Sequence, residues 1–130
     1  MIWLVEVFKA LGDENRLRIL NILMHYELCV CELELVLDLN QSNVSRHLAK
    51  LRQSGIINAS KDAQWIHYKI SDRFLRDHQH LVAYLKHMYK VGEIYDYDLN
   101  RCVIYKNSPY NCQNITNDKQ MVIDYISHAI

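Results

Sequence analysis

The sequence predicts a mainly α fold carrying one small β-hairpin, and three observations point there. Apolar residues recur three and four apart along most of the chain as far as Val91. A short apolar helix is followed, after a tight turn, by a helix whose outer face is polar and cationic. Two β-prone runs separated by a polar turn come next. Helix, turn, polar-faced helix and basic hairpin is the order of a winged helix-turn-helix.

The first elements are a helix pair. Val5, Phe8 and Leu11, then Leu17, Ile19, Leu20, Ile22 and Leu23, repeat at helical spacing, with Gly12-Asp13-Glu14-Asn15 as break and cap between them. A third helix is expected from about Cys31 to Leu37, and Asp38-Leu39-Asn40 reads as a turn. The fourth runs from Gln41 or Ser42 to Ser54, with Val44, Leu48 and Leu51 inward and Gly55 as its C-terminal cap. Ile56 to Ser60 and Trp65 to Ile70 form the hairpin, although its turn, Lys61-Asp62-Ala63-Gln64, lacks the glycine such turns favour. A long helix is expected over about Asp72 to Val91, and its amphipathic stripe needs a partner, most simply a second copy of the chain. A last helix is expected from Asn117 to Ala129.

With 130 residues, half of them apolar and 23% charged, the chain is expected to fold as one domain. Residues 1–91 read as a DNA-binding and dimerisation unit, dimerised through terminal helices. Residues 92–130 read as a C-terminal extension of the same domain, able to supply metal ligands. No apolar stretch approaches the length of a membrane span, and no signal-peptide layout stands at the start, so a cytoplasmic, membrane-free protein is expected.

Lys plus Arg equals Asp plus Glu, 15 of each, so only the distribution of charge is informative. Arg46, Lys50, Arg52, Lys61, Lys69 and Arg73 outnumber Asp62 and Asp72, whereas Glu27 to Asp38 carries only acids. Gln41, Ser42, Asn43 and Ser45 are short donors and acceptors suited to base edges or phosphates. Arg46, His47, Lys50 and Arg52 extend that face, and Lys61 and Lys69 let the hairpin grip the adjacent backbone. Alone, such charges would be an ordinary solvated helix face; the ordered surroundings favour DNA. Ser45, Arg46 and His47 point in different directions on a helix and make no catalytic set.

Four cysteines, Cys29, Cys31, Cys102 and Cys112, are expected as free thiols in a reducing compartment. Cys29 and Cys31 stand at the mouth of the third helix, where the dipole favours thiolate, the form that binds soft metals. Residues two apart in a regular helix face opposite ways, so joint ligation is expected to need a distorted first turn. That strain would pass to the recognition helix. His78, His80 and His87 raise a zinc site as an alternative, but histidines on a helix are more often surface or interface residues.

Over Val5 to Ser71 the chain resembles the arsenical-resistance repressor (ArsR/SmtB) family of metal-sensing winged-helix repressors. The matching blocks are Phe8 to Asp13 with Arg16 to Leu20, Glu27-Leu28-Cys29-Val30-Cys31-Glu32-Leu33, Gln41 to Leu48, Leu51 to Gly55 and Trp65-Ile66-His67-Tyr68. The resemblance implies a homodimer on operator DNA that represses a resistance operon, with As(III) or Sb(III) as inducer, or Cd(II), Pb(II) or Zn(II) in the related branch. Where arsenic sensors of the family place a third cysteine, this chain has Glu34, so a tail cysteine must complete the site; Cys102 is preferred over Cys112 as nearer the long helix. Asp77-His78 and His87 with Lys90 do not fit the helix site of zinc-sensing relatives. From another class, a disulfide between the box and the tail would make a redox switch. A thiol enzyme such as an arsenate reductase is disfavoured, because no phosphate-cradling loop follows either pair.

Overall fold

The computed structural model describes residues 3–130. Helix α1 (Leu4–Leu11) turns Val7, Ala10 and Leu11 to the core and ends at Gly12. In the N-cap of α2 (Glu14–Leu23), Asp13 Oδ1 accepts the Arg16 N–H at 3.1 Å. Its buried run Ile19 to Leu23 includes one polar residue, Asn21, whose side-chain amide donates to the Tyr95 carbonyl at 3.0 Å. That bond satisfies a group which would otherwise be costly to bury.

A two-residue strand, β1 (Leu28–Cys29), was not foreseen; it leads directly into α3 (Val30–Leu37). Cys29 is therefore the extended N-cap residue, and its backbone N–H donates to Glu32 Oε1 at 3.0 Å. Helix α3 stops where Asp38 turns left-handed, φ 54°. Asn40 caps α4 (Gln41–Gln53) by accepting the Asn43 N–H at 2.8 Å. Gly55, φ 79°, ends it, with the Ile56 N–H reaching the Leu51 carbonyl and the Gly55 N–H the Arg52 carbonyl, a Schellman closure that needs glycine's freedom.

Strands β2 (Ile57–Asp62) and β3 (Trp65–Ile70) form the wing, and β1 adds to the other side of β3, giving an antiparallel sheet of order β1-β3-β2. Ile57 faces Ile70 and Asp62 faces Trp65, so the turn is Ala63-Gln64, with Ala63 at φ 54° where glycine would be at ease. Cys29 pairs with His67, which ties the thiol box to the wing.

The long helix expected over Asp72 to Val91 is two helices, α5 (Asp72–Asp77) and α6 (Gln79–Val91). His78 leaves helical geometry between them, φ −129° and ψ 47°, with its ring against Phe74. Helix α6 buries Val82, Leu85 and Tyr89 and leaves Tyr84, Met88 and Val91 exposed.

Residues 92–130 form three further helices: α7 (Glu93–Lys106), α8 (Cys112–Asn117) and α9 (Lys119–Ala129). Helix α7 packs on α2 and α3, and α8 and α9 fold back beside α3 and α7. Asp98 on α7, fully buried, pairs with Arg18 at 2.8 Å, and Arg18 also donates to the Leu37 carbonyl at 2.9 Å. Arg101 donates to the carbonyls of Val36 and Leu35, both at 2.9 Å. Two arginines thus satisfy the carbonyls at the C-terminal end of α3.

Candidate thiol site and nucleic-acid face

The outer face of α4 is laid out as the sequence suggests, with one exception. Gln41, Ser42, Ser45, Arg46 and Arg52 are exposed, Asn43 and Lys50 are half-buried, and Lys61 and Lys69 are exposed on the wing. His47 does not belong to this face. It is 3% exposed and points inward, with Nδ1 3.2 Å from an Arg16 guanidinium nitrogen and Nε2 3.8 Å from Asp13. Its place, three residues after the inward Val44, is the inner stripe of the helix. Arg16 also donates to the Ala10 carbonyl at 2.5 Å, so the His47 contact joins α4 to the end of α1. Burial, then the Arg16 and Arg46 charges, hold its imidazole below the ordinary value of 6.5, against the pull of Asp13.

Three sulfurs meet at the start of α3. Cys29 Sγ lies 3.1 Å from Cys31 Sγ and 2.6 Å from Cys112 Sγ, and all three fall within 4.8 Å of one another. Cys29 reaches its neighbour because it is the cap, not a helical residue, so the distorted first turn that the spacing implied is unnecessary. Cys112 is the first residue of α8. Cys102, preferred from sequence, is fully buried on α7 and stands outside the group; burial pushes its thiol up to about 12. The preference followed distance along the chain, whereas the Ser108-Pro109-Tyr110 turn brings α8 back over α3.

The group is electrostatically uneven. Hydrogen bonds from Cys112 and then Cys31 draw the Cys29 thiol far down, with the Glu32 contacts helping. The contacts with Cys29 and then Cys31, with burial, push the Cys112 thiol up. The Cys112 contact lowers the Cys31 thiol, but Cys29, burial and the nearby negative charges outweigh it and push Cys31 up to about 12. One thiolate stabilised by two thiols is the resulting arrangement.

Sequence reasoning missed the support beneath the sulfurs. Glu32, 6% exposed, holds the Cys29 backbone with one oxygen and accepts a hydrogen bond from the Tyr105 hydroxyl with the other. The cap half of this was legible in the Cys29-x-x-Glu32 spacing; the Tyr105 half required α7 in place. Glu34 sits near Lys119 of α9, 3.8 Å away. In front of the thiols lies a groove of about 420 Å³, walled by Val30 and Glu34 of α3, Gln41, the wing residues Gln64, Trp65 and Ile66, and Thr116.

A two-residue-turn wing behind a polar, cation-bearing helix defines a winged helix-turn-helix DNA-binding protein. Residues 13–59 match the family described as bacterial regulatory protein, arsR family. The chain is 47% identical over 68 residues to the arsenical resistance operon repressor of Escherichia coli K12, covering 52% of this chain and 58% of that one. Among solved structures it resembles reduced HlyU from Vibrio cholerae, at 41% identity and TM-score 0.54 over 62% of this chain and 85% of that one. It also resembles a homodimeric winged helix-turn-helix domain, Mb0332 of Mycobacterium bovis, at 26% identity and TM-score 0.56 over 63% and 76% of the two chains. The chain belongs to the ArsR family of bacterial transcription regulators. It spans 51% to 58% of the length of the curated relatives first matched, and the likeness in sequence covers about half of this chain. Among the described residues no helix is long and apolar enough to cross a membrane.

Proposed function

We propose that this chain is a cytoplasmic repressor that binds operator DNA as a homodimer and is released when As(III) or Sb(III) takes Cys29, Cys31 and Cys112 as ligands. The observation that carries this reading is the convergence of three sulfurs, with no histidine or carboxylate in the group among the described residues. Three soft donors suit a pyramidal trivalent metalloid, whereas Zn(II) and Cd(II) prefer a fourth donor. The chemistry balances: arsenous acid exchanges its three hydroxyls for three sulfurs, and the hydroxyls leave as water, taking two protons from the thiols and one from solvent in place of the proton Cys29 has already lost.

DNA contact falls to Gln41, Ser42, Asn43, Ser45, Arg46, Lys50 and Arg52 of α4 and to Lys61 and Lys69 of the wing, which leaves His47 out. The exposed apolar faces of α1 (Leu4, Val5, Phe8) and α6 (Tyr84, Met88, Val91) are the surfaces for a second copy. A second reading, a redox switch closed by a disulfide, is favoured by the closest pair, Cys29 and Cys112.

The test is fluorescence anisotropy of a duplex from upstream of the gene, bound by reduced protein and titrated in parallel with arsenite, cadmium and peroxide. Release by arsenite is the expected result. Release by cadmium alone replaces the metalloid with a dication, and release by peroxide alone replaces it with the redox switch.

A further inference from the structure

We infer that the groove in front of the thiols is the inducer's route to them and that bound DNA closes it, so that inducer is captured by repressor that has let go of DNA. This rests on the proposed function and deepens it. The groove has two kinds of wall. Its inner end is formed by Cys29, which is buried, and Cys31, which is half-buried, with the Cys112 sulfur behind them 2.6 Å from that of Cys29. Its outer rim is made from the parts of the protein that meet DNA: Gln41, the first residue of α4, and Gln64, Trp65 and Ile66 at the turn and start of β3.

In winged helix-turn-helix docking the N-terminal residues of the recognition helix enter the major groove and the hairpin lies on the flanking backbone. A duplex touching both Gln41 and the wing turn therefore spans the opening between them. The remaining side is closed from within. Gln64 of the wing donates to Gln113 of α8 at 3.3 Å, Thr116 of α8 lines the groove, and Lys119 approaches Glu34. The tail helix that brings Cys112 thus also shuts the side away from DNA.

Two measurements test this with the reduced full chain. In the first, thiol reaction with dithiodipyridine, a bulky neutral chromogenic disulfide, and with iodoacetamide, a small neutral alkylating agent, is followed with and without saturating duplex, anisotropy verifying that the duplex is bound. A cover that opens only on dissociation predicts that duplex at about 100 Kd slows dithiodipyridine roughly a hundredfold, in proportion to the unbound fraction. Iodoacetamide, comparable in size to arsenous acid, is slowed by the same factor. An unchanged rate with duplex bound overturns the inference, and so does equal, partial slowing of both reagents, which is the mark of the phosphate field rather than a cover.

In the second, the rate of duplex release is measured as arsenite rises. The expected rate levels off at that at which unlabelled competitor duplex alone frees the labelled one. A rate that keeps climbing means that DNA-bound repressor takes up arsenite, and the inference is wrong. Absence of any anisotropy rise on mixing protein with duplex is a separate result: the proposed function itself then fails, and this inference falls with it.

Discussion

Cys29 and Cys31 were legible as a pair from spacing, but the third member was not, because Cys112 arrives through a turn with no signature of where it leads. Cys112→Ser should leave DNA affinity intact and abolish release by arsenite in the anisotropy titration, whereas Cys102→Ser should respond like the parent. A normal response from the first, or a lost response from the second, would place the third ligand elsewhere. Tyr105→Phe removes the hydroxyl that Glu32 accepts from inside the fold, leaving part of a buried carboxylate unpaired. The expected loss is about 1–3 kcal/mol of unfolding free energy, measured by urea titration. His47 was misread as a DNA residue because its type suits base edges; only the helix phase set by Val44, Leu48 and Leu51 marks it as inward. Its depressed pKa fixes a sign. The unfolded chain takes up a proton near 6.5 while the folded chain resists, so this residue's contribution is full above 6.5 and is lost as pH falls below it. Between about pH 7.5 and 5.5, the parent should lose more urea stability than His47→Gln. Equal slopes would remove His47 as the cause.

At the scale of elements, those with an apolar period were readable and α7 was not. Its inner face carries Asp98, Arg101, Cys102 and Tyr105, so burial there is polar and leaves no hydrophobic stripe. What identifies α7 as structural is its partners: Arg101 on the carbonyls of Leu35 and Val36, and Asp98 on Arg18. The helix works as a splint along α3, holding the cap through Tyr105 and Glu32 and the far end through Arg101. Arg101→Ala leaves two buried carbonyls with weaker satisfaction and should cost about 2–4 kcal/mol, together with faster amide exchange in α3 than in α2. Uniform loosening of both helices would mean that α7 supports the whole core and not α3 in particular. The split between α5 and α6 was unreadable for a different reason. Apolar spacing runs through His78 unbroken, and the backbone leaves helical geometry at a residue whose type does not announce it.

For the whole molecule, the stripe expected to need a second copy is largely buried within the chain, through Phe74, Val82 and Leu85, and of it Met88 stays exposed; the apolar surface left over is Tyr84, Met88 and Val91 on α6 with Leu4, Val5 and Phe8 on α1. Trp3, Leu4, Val5 and Phe8 on one side and Tyr84, Met88 and Val91 on the other are 38–77% exposed, which is costly for a monomer in water. Pairing two copies through these helices would set two α4 helices facing one duplex, with their separation fixed by the interface. The Arg16 contacts with the Ala10 carbonyl and His47 then bear on DNA binding, because they fasten α4 to a helix that lies in that interface. Phe8→Glu with Met88→Glu buries four charges across a two-fold interface and should yield a folded monomer by sedimentation, with helix content unchanged by circular dichroism. Operator affinity should fall by orders of magnitude, since each copy then binds one half-site without the effective concentration the partner supplies. A double variant that still sediments as a dimer would move the interface to another face. One that is monomeric yet binds operator as tightly as the parent would show that a single α4 and wing suffice.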